Sequence, residues 1–390
     1  MLPPRTPRHR RRNSSPSPGA LAVLALVAAL AVSPTAAPQT GAAARTAAQI
    51  LEPIRASRTI PALAAIVVKE GVVVDRAVVG VRKLGDPTPI AIGDRFHLGS
   101  CTKSMTATLA AMLVDEGKLT WTRTIAEAFP ELKATLHPQY AGVTLRQLLA
   151  HMGGAPAAPP PAVWERAVRE QGTPIEQRRE YVTGVLTRPP EAAPGSTFIY
   201  SNQGFVIAGV MIERAAGQPW ETLMRERLFA PLGMTSAGFG SPAAPSGRVA
   251  QPWGHADDHG TLTPTLVDNP IALGPAGRVH ASLDDMARYA RFHLRGERAP
   301  GRPPLLAPDT LRLLHTPRDQ EIYGFGWAFV EQPWTHGPAI THAGSNNAWF
   351  MSVWIAPARD AALVVATNAG GPVAEAGARE AVAALVARFF

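Results

Sequence analysis

The chain of 390 residues has a single cysteine, Cys101, so no intrachain disulfide can brace it. Only five of its 38 basic residues are lysines, aromatics make up 6% of the chain and charged residues 17%. Few charges beside 46% hydrophobic residues exclude a chain that is disordered throughout, and suit one large core or two joined lobes that hold together without cross-links. The formal charge of +8 invites a nucleic-acid reading, but it is unevenly spread. Arg5, Arg8, Arg10, Arg11 and Arg12 fall within the first 37 residues, which contain no acid, and the remainder carries only +3. A mildly basic solvated surface accounts for that, and no nucleic-acid partner is expected. Cys101 has no basic group specifically placed to activate a thiolate and reads as a small buried helix residue.

Long apolar runs are missing too. The apolar stretch Ala20 to Val32 is about 13 residues, short of the ~20 that span a bilayer. It follows a basic stretch ending at Arg12 and precedes the small residues Thr35-Ala36-Ala37, the form of an export signal. Residues 1–37 are therefore expected to be a signal peptide and the protein to be extracytoplasmic, periplasmic or secreted, with membrane contact only through an uncleaved leader. Arg10-Arg11-Arg12 lacks the hydrophobic residues that should follow a twin-arginine pair, so the export route stays open.

Beyond the leader, a first helix is expected to end near Arg58. Leu63–Val68 and Val72–Val81 form a hairpin around Lys69-Glu70-Gly71, where the glycine can take positive φ. A helix runs from Ser100 to Glu116 with Met105, Leu109, Met112 and Leu113 on one side, closed by Gly117. From about 120 to 275 the chain reads as helices broken by proline loops, with a capping box at Thr173-Pro174-Ile175-Glu176. After a helix start at Ser282, strands return near Gly324–Glu331, Pro338–His342, Ala348–Ile355 and Ala361–Thr367, followed by a last helix from Val373. Strands at both ends and helices between predict an α+β fold: one antiparallel sheet built from both termini and flanked by terminal helices, plus an inserted all-helical domain. The expected division is 38–95 and 275–390 for the sheet domain, and 96–274 for the helical domain.

Three short segments carry chemistry. Ser100 and Lys103 are three apart on a helix, so their side chains share a face, and an amine beside a hydroxyl can activate it. With 15 serines and five lysines, chance supplies about 0.2 such pairs in a chain of this length. In Tyr200-Ser201-Asn202, a phenol near a cation can serve as a base and an amide can hold substrate or lysine, although a capping asparagine beside a half-buried tyrosine is the plainer explanation. In His342-Ala343-Gly344-Ser345, the glycine lets a substrate lie against the strand edge and the Ser345 N–H can face an oxyanion, although a lone strand histidine is more often structural. A fourth segment, His255-Ala256-Asp257-Asp258-His259, has two histidines four apart, but the flanking Gly254 and Gly260 make it a solvent loop, so no metal site is assigned.

Together these segments, in this order, resemble the serine β-lactamase, penicillin-binding-protein and related esterase superfamily, in particular its class C-like branch, from about Pro61 to the C-terminus. Supporting stretches include Leu148-Leu149-Ala150-His151, Phe229-Ala230-Pro231-Leu232-Gly233-Met234, Tyr323-Gly324-Phe325-Gly326-Trp327 and Thr367-Asn368. The resemblance implies a β-lactamase/transpeptidase-like fold and a serine hydrolase without metal or cofactor. Ser100 would be the nucleophile, Lys103 its activating partner and Tyr200 the general base. Asn202 would position the substrate, His342 and Gly344 would border it, and the N–H groups of Ser100 and Ser345 would form the oxyanion hole. The substrate would be a small molecule or a peptide, cell-wall peptide included: an ester, a D-amino-acid peptide or a β-lactam. A penicillin-binding or sensor-type protein that is acylated but scarcely turns over is the alternative, and an inert scaffold a third. Two departures stand out. His342 replaces the lysine of Lys-Thr-Gly and removes a permanent charge for a β-lactam carboxylate. His151-Met152-Gly153-Gly154 replaces His-Thr-Ser-Gly.

Overall fold

The computed structural model describes residues 45–245, 248–318 and 321–390, so the expected leader lies outside the described residues. The protein is built on an eight-stranded antiparallel sheet. Its strands are β1 (Ala62–Lys69), β2 (Val72–Lys83), β3 (Asp86–Pro89), β9 (Tyr323–Gly324), β10 (Trp327–Gln332), β11 (Gly337–Ser345), β12 (Phe350–Ala356) and β13 (Ala361–Thr367), in the order β3-β2-β1-β13-β12-β11-β10-β9. The two ends of the chain meet at its centre, where β1 pairs with β13 from Leu63↔Thr367 to Lys69↔Ala361. The hairpin at Glu70-Gly71 is present, with both residues at positive φ.

Side chains on β1 alternate between two cores. Ala62, Ala64, Ile66 and Val68 face one, and Leu63, Ala65 and Val67 the other. Helices α1 (Ala47–Ser57) and α6 (Gly371–Phe389) cover the second face through Ile50, Leu51, Ile54, Val382 and Leu385. The first face packs against α5 (Leu283–Arg295) and the helical part of the chain, which includes α3 (Pro174–Leu186) and α4 (Asn202–Ala216). Both the Thr173–Glu176 capping box and the Ser282 cap on the Asp285 N–H are formed.

Between these layers runs α2 (Thr102–Asp115). The expectation of one apolar side understates it, since every residue from Thr102 to Leu113 is buried. Its hydroxyls are absorbed by hydrogen bonds: Ser104 Oγ donates to Cys101 O (2.9 Å), Thr106 Oγ1 to Pro275 O (2.7 Å) and Thr108 Oγ1 to Ser104 O (2.9 Å). The buried axis thereby tolerates polar residues and fixes the approach of Pro275.

The middle of the chain is less purely helical than expected. A small sheet of β4 (Arg95–His97), β8 (Val279–Ser282) and β5 (Gly238–Phe239) joins the two parts. The His255–His259 stretch is not a solvent loop. It lies in a hairpin of β6 (Gly254–Asp258) and β7 (Thr261–Thr265), with His255 fully buried. His255 Nδ1 sits 2.7 Å from Asn368 O, while Nε2 accepts the Leu84 N–H at 3.0 Å. Both ring nitrogens are spent on pinning the hairpin to the sheet, a long-range need that local sequence does not display. Among the described residues, no helix is long and apolar enough to cross a membrane.

Gly326, at φ +79°, brings the β9–β10 turn against α2, where a Cβ would stand 2.4 Å from Ser104 N and 2.5 Å from Ser104 Cα. Neither backbone can yield cheaply. Gly326→Ala is expected to lower unfolding free energy by about 2–4 kcal/mol, read as a fall in the urea midpoint; an unchanged midpoint contradicts this packing.

Candidate active site

Residues Gly99–Cys101 form a 3-10 turn that leads into α2, so Ser100 stands just ahead of the α-helix. Gly99 is at φ +50°, a conformation costly for any residue with a Cβ. The turn and the following helix place Lys103 Nζ 2.9 Å from Ser100 Oγ. Lys103 is wholly buried, and Nζ also reaches Asn202 Oδ1 at 2.7 Å and Ala276 O at 2.9 Å. Burial lowers its pKa from the ordinary lysine range to about 7. As an ammonium it donates to all three oxygens. As a neutral amine it can keep two of those bonds and turn its lone pair to the serine hydroxyl.

The cap of α4 explains why Asn202 is free for this contact. Ser201, not Asn202, is the N-cap, its Oγ accepting the Gly204 N–H at 3.3 Å, so the asparagine is the first helical residue and points at the lysine. One residue before the cap, the Tyr200 ring centroid lies 4.8 Å from Lys103 Nζ. Burial raises the Tyr200 pKa, and a hydrogen bond with Ser100 offsets this only in part, so the phenol keeps its proton at neutral pH.

On β11, Gly344 lines the cavity and also lets two main chains meet. A Cβ there would stand 2.0 Å from Leu98 O and 2.7 Å from Ser100 N, while a Cβ on Gly99 would stand 2.4 Å from Ser345 N. The two main chains touch, and Ser100 and Ser345 both line the same cavity. β11 also continues to Ser345 beyond Thr341, its last residue paired with β10. His342 is buried and lies off the cavity wall. Its Nδ1 sits 2.6 Å from Ala343 O, so that nitrogen carries the proton and Nε2 accepts from Tyr323 Oη at 2.9 Å. Burial, then the charge of Lys103, lowers its pKa to about 3, and the imidazole is neutral. Cys101 is buried beside it with its thiol pushed up to about 12 by burial, in keeping with an inert packing role.

A cavity of about 320 Å³ opens on Ser100, Tyr200 and Asn202. Its walls come from Ala343 to Asn347 on one side, from Asn269 and Leu273 to Gly277 on another, and from Gly371 and Glu375 of α6. A hydroxyl, an amine of lowered pKa, a phenol and two strand-and-turn amides around one cavity can form and break an acyl bond.

The Beta-lactamase family model matches residues 47–388. The chain belongs to the Beta-lactamase family. "Penicillin-binding protein 4" of Amycolatopsis lactamdurans is 27% identical over 75% of this chain and 76% of its own length. "Lovastatin esterase" of Penicillium rubens is 28% identical over 40% of this chain and 42% of its own. Among solved structures, the D-alanine carboxypeptidase AmpC from Burkholderia cenocepacia has a TM-score of 0.69 at 22% identity, covering 87% of this chain and 97% of that one, a likeness of fold. The fold expected from sequence is therefore the observed one, and at family level the chain is a hydrolase.

In this Beta-lactamase family member, several residues that hold the site escaped the sequence motifs. Ala276 contributes only a carbonyl, which no side-chain pattern can signal. Its approach to Lys103 depends on Gly209 of α4, where a Cβ would stand 2.3 Å from Pro275 Cγ. His151, seen in the sequence only as part of a family stretch, accepts the Ser201 N–H on Nδ1 at 3.1 Å and packs against Tyr200 with ring centroids 4.4 Å apart. Under the Gly99–Cys101 turn, buried His97 accepts the Gly99 N–H on Nδ1 at 3.0 Å and places Nε2 3.0 Å from Asp268 Oδ1. The same carboxylate accepts from Asn346 Nδ2 at 3.0 Å, next to Ser345. Burial alone would raise the Asp268 pKa, but the facing His97 and Arg278 hold it down at about 2. Asp268 thus ties together the neighbours of both Ser100 and Ser345. A His-x-Gly-Ser string preceding the lysine motif is the one local sign of this arrangement.

Asp268→Asn should loosen that alignment without touching the reacting groups. The expected result on a p-nitrophenyl ester is a fall in kcat of about 10- to 100-fold with KM changed by less than about 2-fold, in a protein of unchanged circular dichroism. A rise in KM at constant kcat would contradict the positioning role.

Proposed function

We propose that the protein is an exported serine hydrolase that works through an acyl-enzyme on Ser100. The observation that carries this reading is the single buried amine, Lys103, held 2.9 Å from the Ser100 hydroxyl with a pKa of about 7. A base so poised is half neutral at pH 7, where proton-transfer catalysis works best. In the acylation step the neutral amine takes the Ser100 proton, Oγ bonds to the substrate carbonyl carbon, and the carbonyl oxygen becomes an oxyanion facing the N–H groups of Ser100 and Ser345. As the C–O or C–N bond to the leaving group breaks, the phenol of Tyr200 supplies its proton and regains one from the Lys103 ammonium across the serine position. Water then repeats the sequence in reverse roles and releases the acid. Tyr200 acts here as a neutral proton relay, where the resemblance implies a general base, because burial favours the phenol over its anion.

Esters and D-amino-acid peptides suit the site better than β-lactams. His342 is neutral and turned toward Tyr323, so β11 presents no cation for a carboxylate. The similarity to the penicillin-binding protein of Amycolatopsis lactamdurans keeps a second reading, acylation with slow release, in view. Export rests on the form of residues 1–37, and N-terminal sequencing of the mature protein beginning near residue 38 would support it.

Three outcomes are expected. A fluorophosphonate adduct should map to Ser100 by mass spectrometry and vanish in Ser100→Ala. A fluorescent penicillin that stays bound without ester turnover would favour the second reading, and equal signals in wild type and Ser100→Ala would remove the enzyme altogether. The base must be unprotonated to act, so kcat/KM should fall about tenfold per pH unit below a midpoint near 7 and level off above it. Lys103→Met should lose about 10³-fold or more across the whole range. A profile flat from pH 5 to 8 contradicts lysine as the base.

A further inference from the structure

Of the residues that line the cavity, Glu375 is the only one with a charged side chain among those described. It stands in the first turns of α6, on the wall that also includes Gly371, and its side chain is one-quarter exposed. Its ion-pair partner, Arg379, lies a turn further along the helix at 3.9 Å, the outer limit of a salt bridge, and such surface pairs are worth little. A second carboxylate backs the same wall: a Cβ at Gly371 would stand 2.4 Å from Asp257 Oδ2. Opposite them, Ala343 to Asn347 present small and amide side chains and no lysine or arginine. Lys103 does not line the cavity, because its charge is turned inward to Ser100, Asn202 and Ala276. The charged side chain that the cavity wall itself presents to a ligand is therefore an acid.

We propose that Glu375 is a specificity residue, and that the cavity takes ester or amide substrates carrying a permanent or protonated amine, with the cation seated against its carboxylate. A substrate carboxylate at the same place meets repulsion in a confined, poorly screened space, so the wall selects against anions as well as for cations. Burial raises the Glu375 pKa and the distant Arg379 offsets it only in part, the behaviour of a carboxylate short of a counter-charge. An amine bound there would restore the balance.

The proposal rests on the acyl-enzyme reading above, and the experiment separates the two. Wild type and Glu375→Gln, which keeps the size of the side chain, are assayed on two pairs of isosteric substrates. Butyrylthiocholine and 3,3-dimethylbutyl thiobutyrate place the cation, or its carbon replacement, on the leaving group. The p-nitrophenyl esters of 6-(trimethylammonio)hexanoic acid and 7,7-dimethyloctanoic acid place it on the acyl group. In at least one pair, wild-type kcat/KM should favour the cationic member by about 10-fold, and Glu375→Gln should bring that ratio to within about 2-fold of one. Arg379→Ala, which removes the competing cation, should leave the ratio as high or raise it. A wild-type ratio near or below one in both pairs, with the neutral esters still hydrolysed, overturns the proposal and spares the enzyme. So does a cation preference that survives Glu375→Gln. No turnover of any of the four substrates overturns both.

Discussion

A lysine has been taken wholly out of water and set among three oxygens that come from three separate parts of the chain, and the rest of the structure depends on that contact. Ser100 belongs to the turn before α2, Asn202 to the start of α4, and Ala276 to the short helical turn Gly274–Gly277. Removing an ammonium from water is costly unless hydrogen bonds replace its hydration. Here they do so for the charged form, while burial brings the neutral form within reach at neutral pH. The same balance that makes the group tolerable in the core makes it a usable base.

The architecture serves this contact by close approach of backbones. Gly99 and Gly344 let the Ser100 turn lie on β11, Gly209 lets the Pro275 turn press on α4, and Gly326 lets the β9–β10 turn press on α2. Around that frame, neutral groups hold direction. His151 supports Tyr200, Tyr323 holds His342, and the Asp268–His97 contact reaches under Gly99. Polar side chains within the core are hydrogen-bonded along α2, so the helix carries hydroxyls through an apolar interior without leaving them unpaired.

How much of this the sequence displayed depended on range. Ser100 with Lys103 is a pair three residues apart, Thr173 with Glu176 is a capping box, and Glu70-Gly71 is a turn; each is governed by local geometry and each was legible. Strands β1, β12 and β13 could be found as apolar runs, but both of their faces are covered, so alternation was absent and facing could not be read. His255, His97, Asp268 and the Ala276 carbonyl gain their roles from partners distant in the chain, which local patterns do not encode. Burial, which favours the Tyr200 phenol over its anion, is likewise a property of the fold and not of the local sequence.

The central claim is that Lys103 is a base of unusually low pKa. With only five lysines in the chain, ¹³Cε-lysine NMR resolves it directly, the Lys103 signal being identified by its loss in Lys103→Met. The account predicts that this resonance titrates near pH 7. A Lys103 signal that remains that of an ammonium up to pH 10 would contradict it.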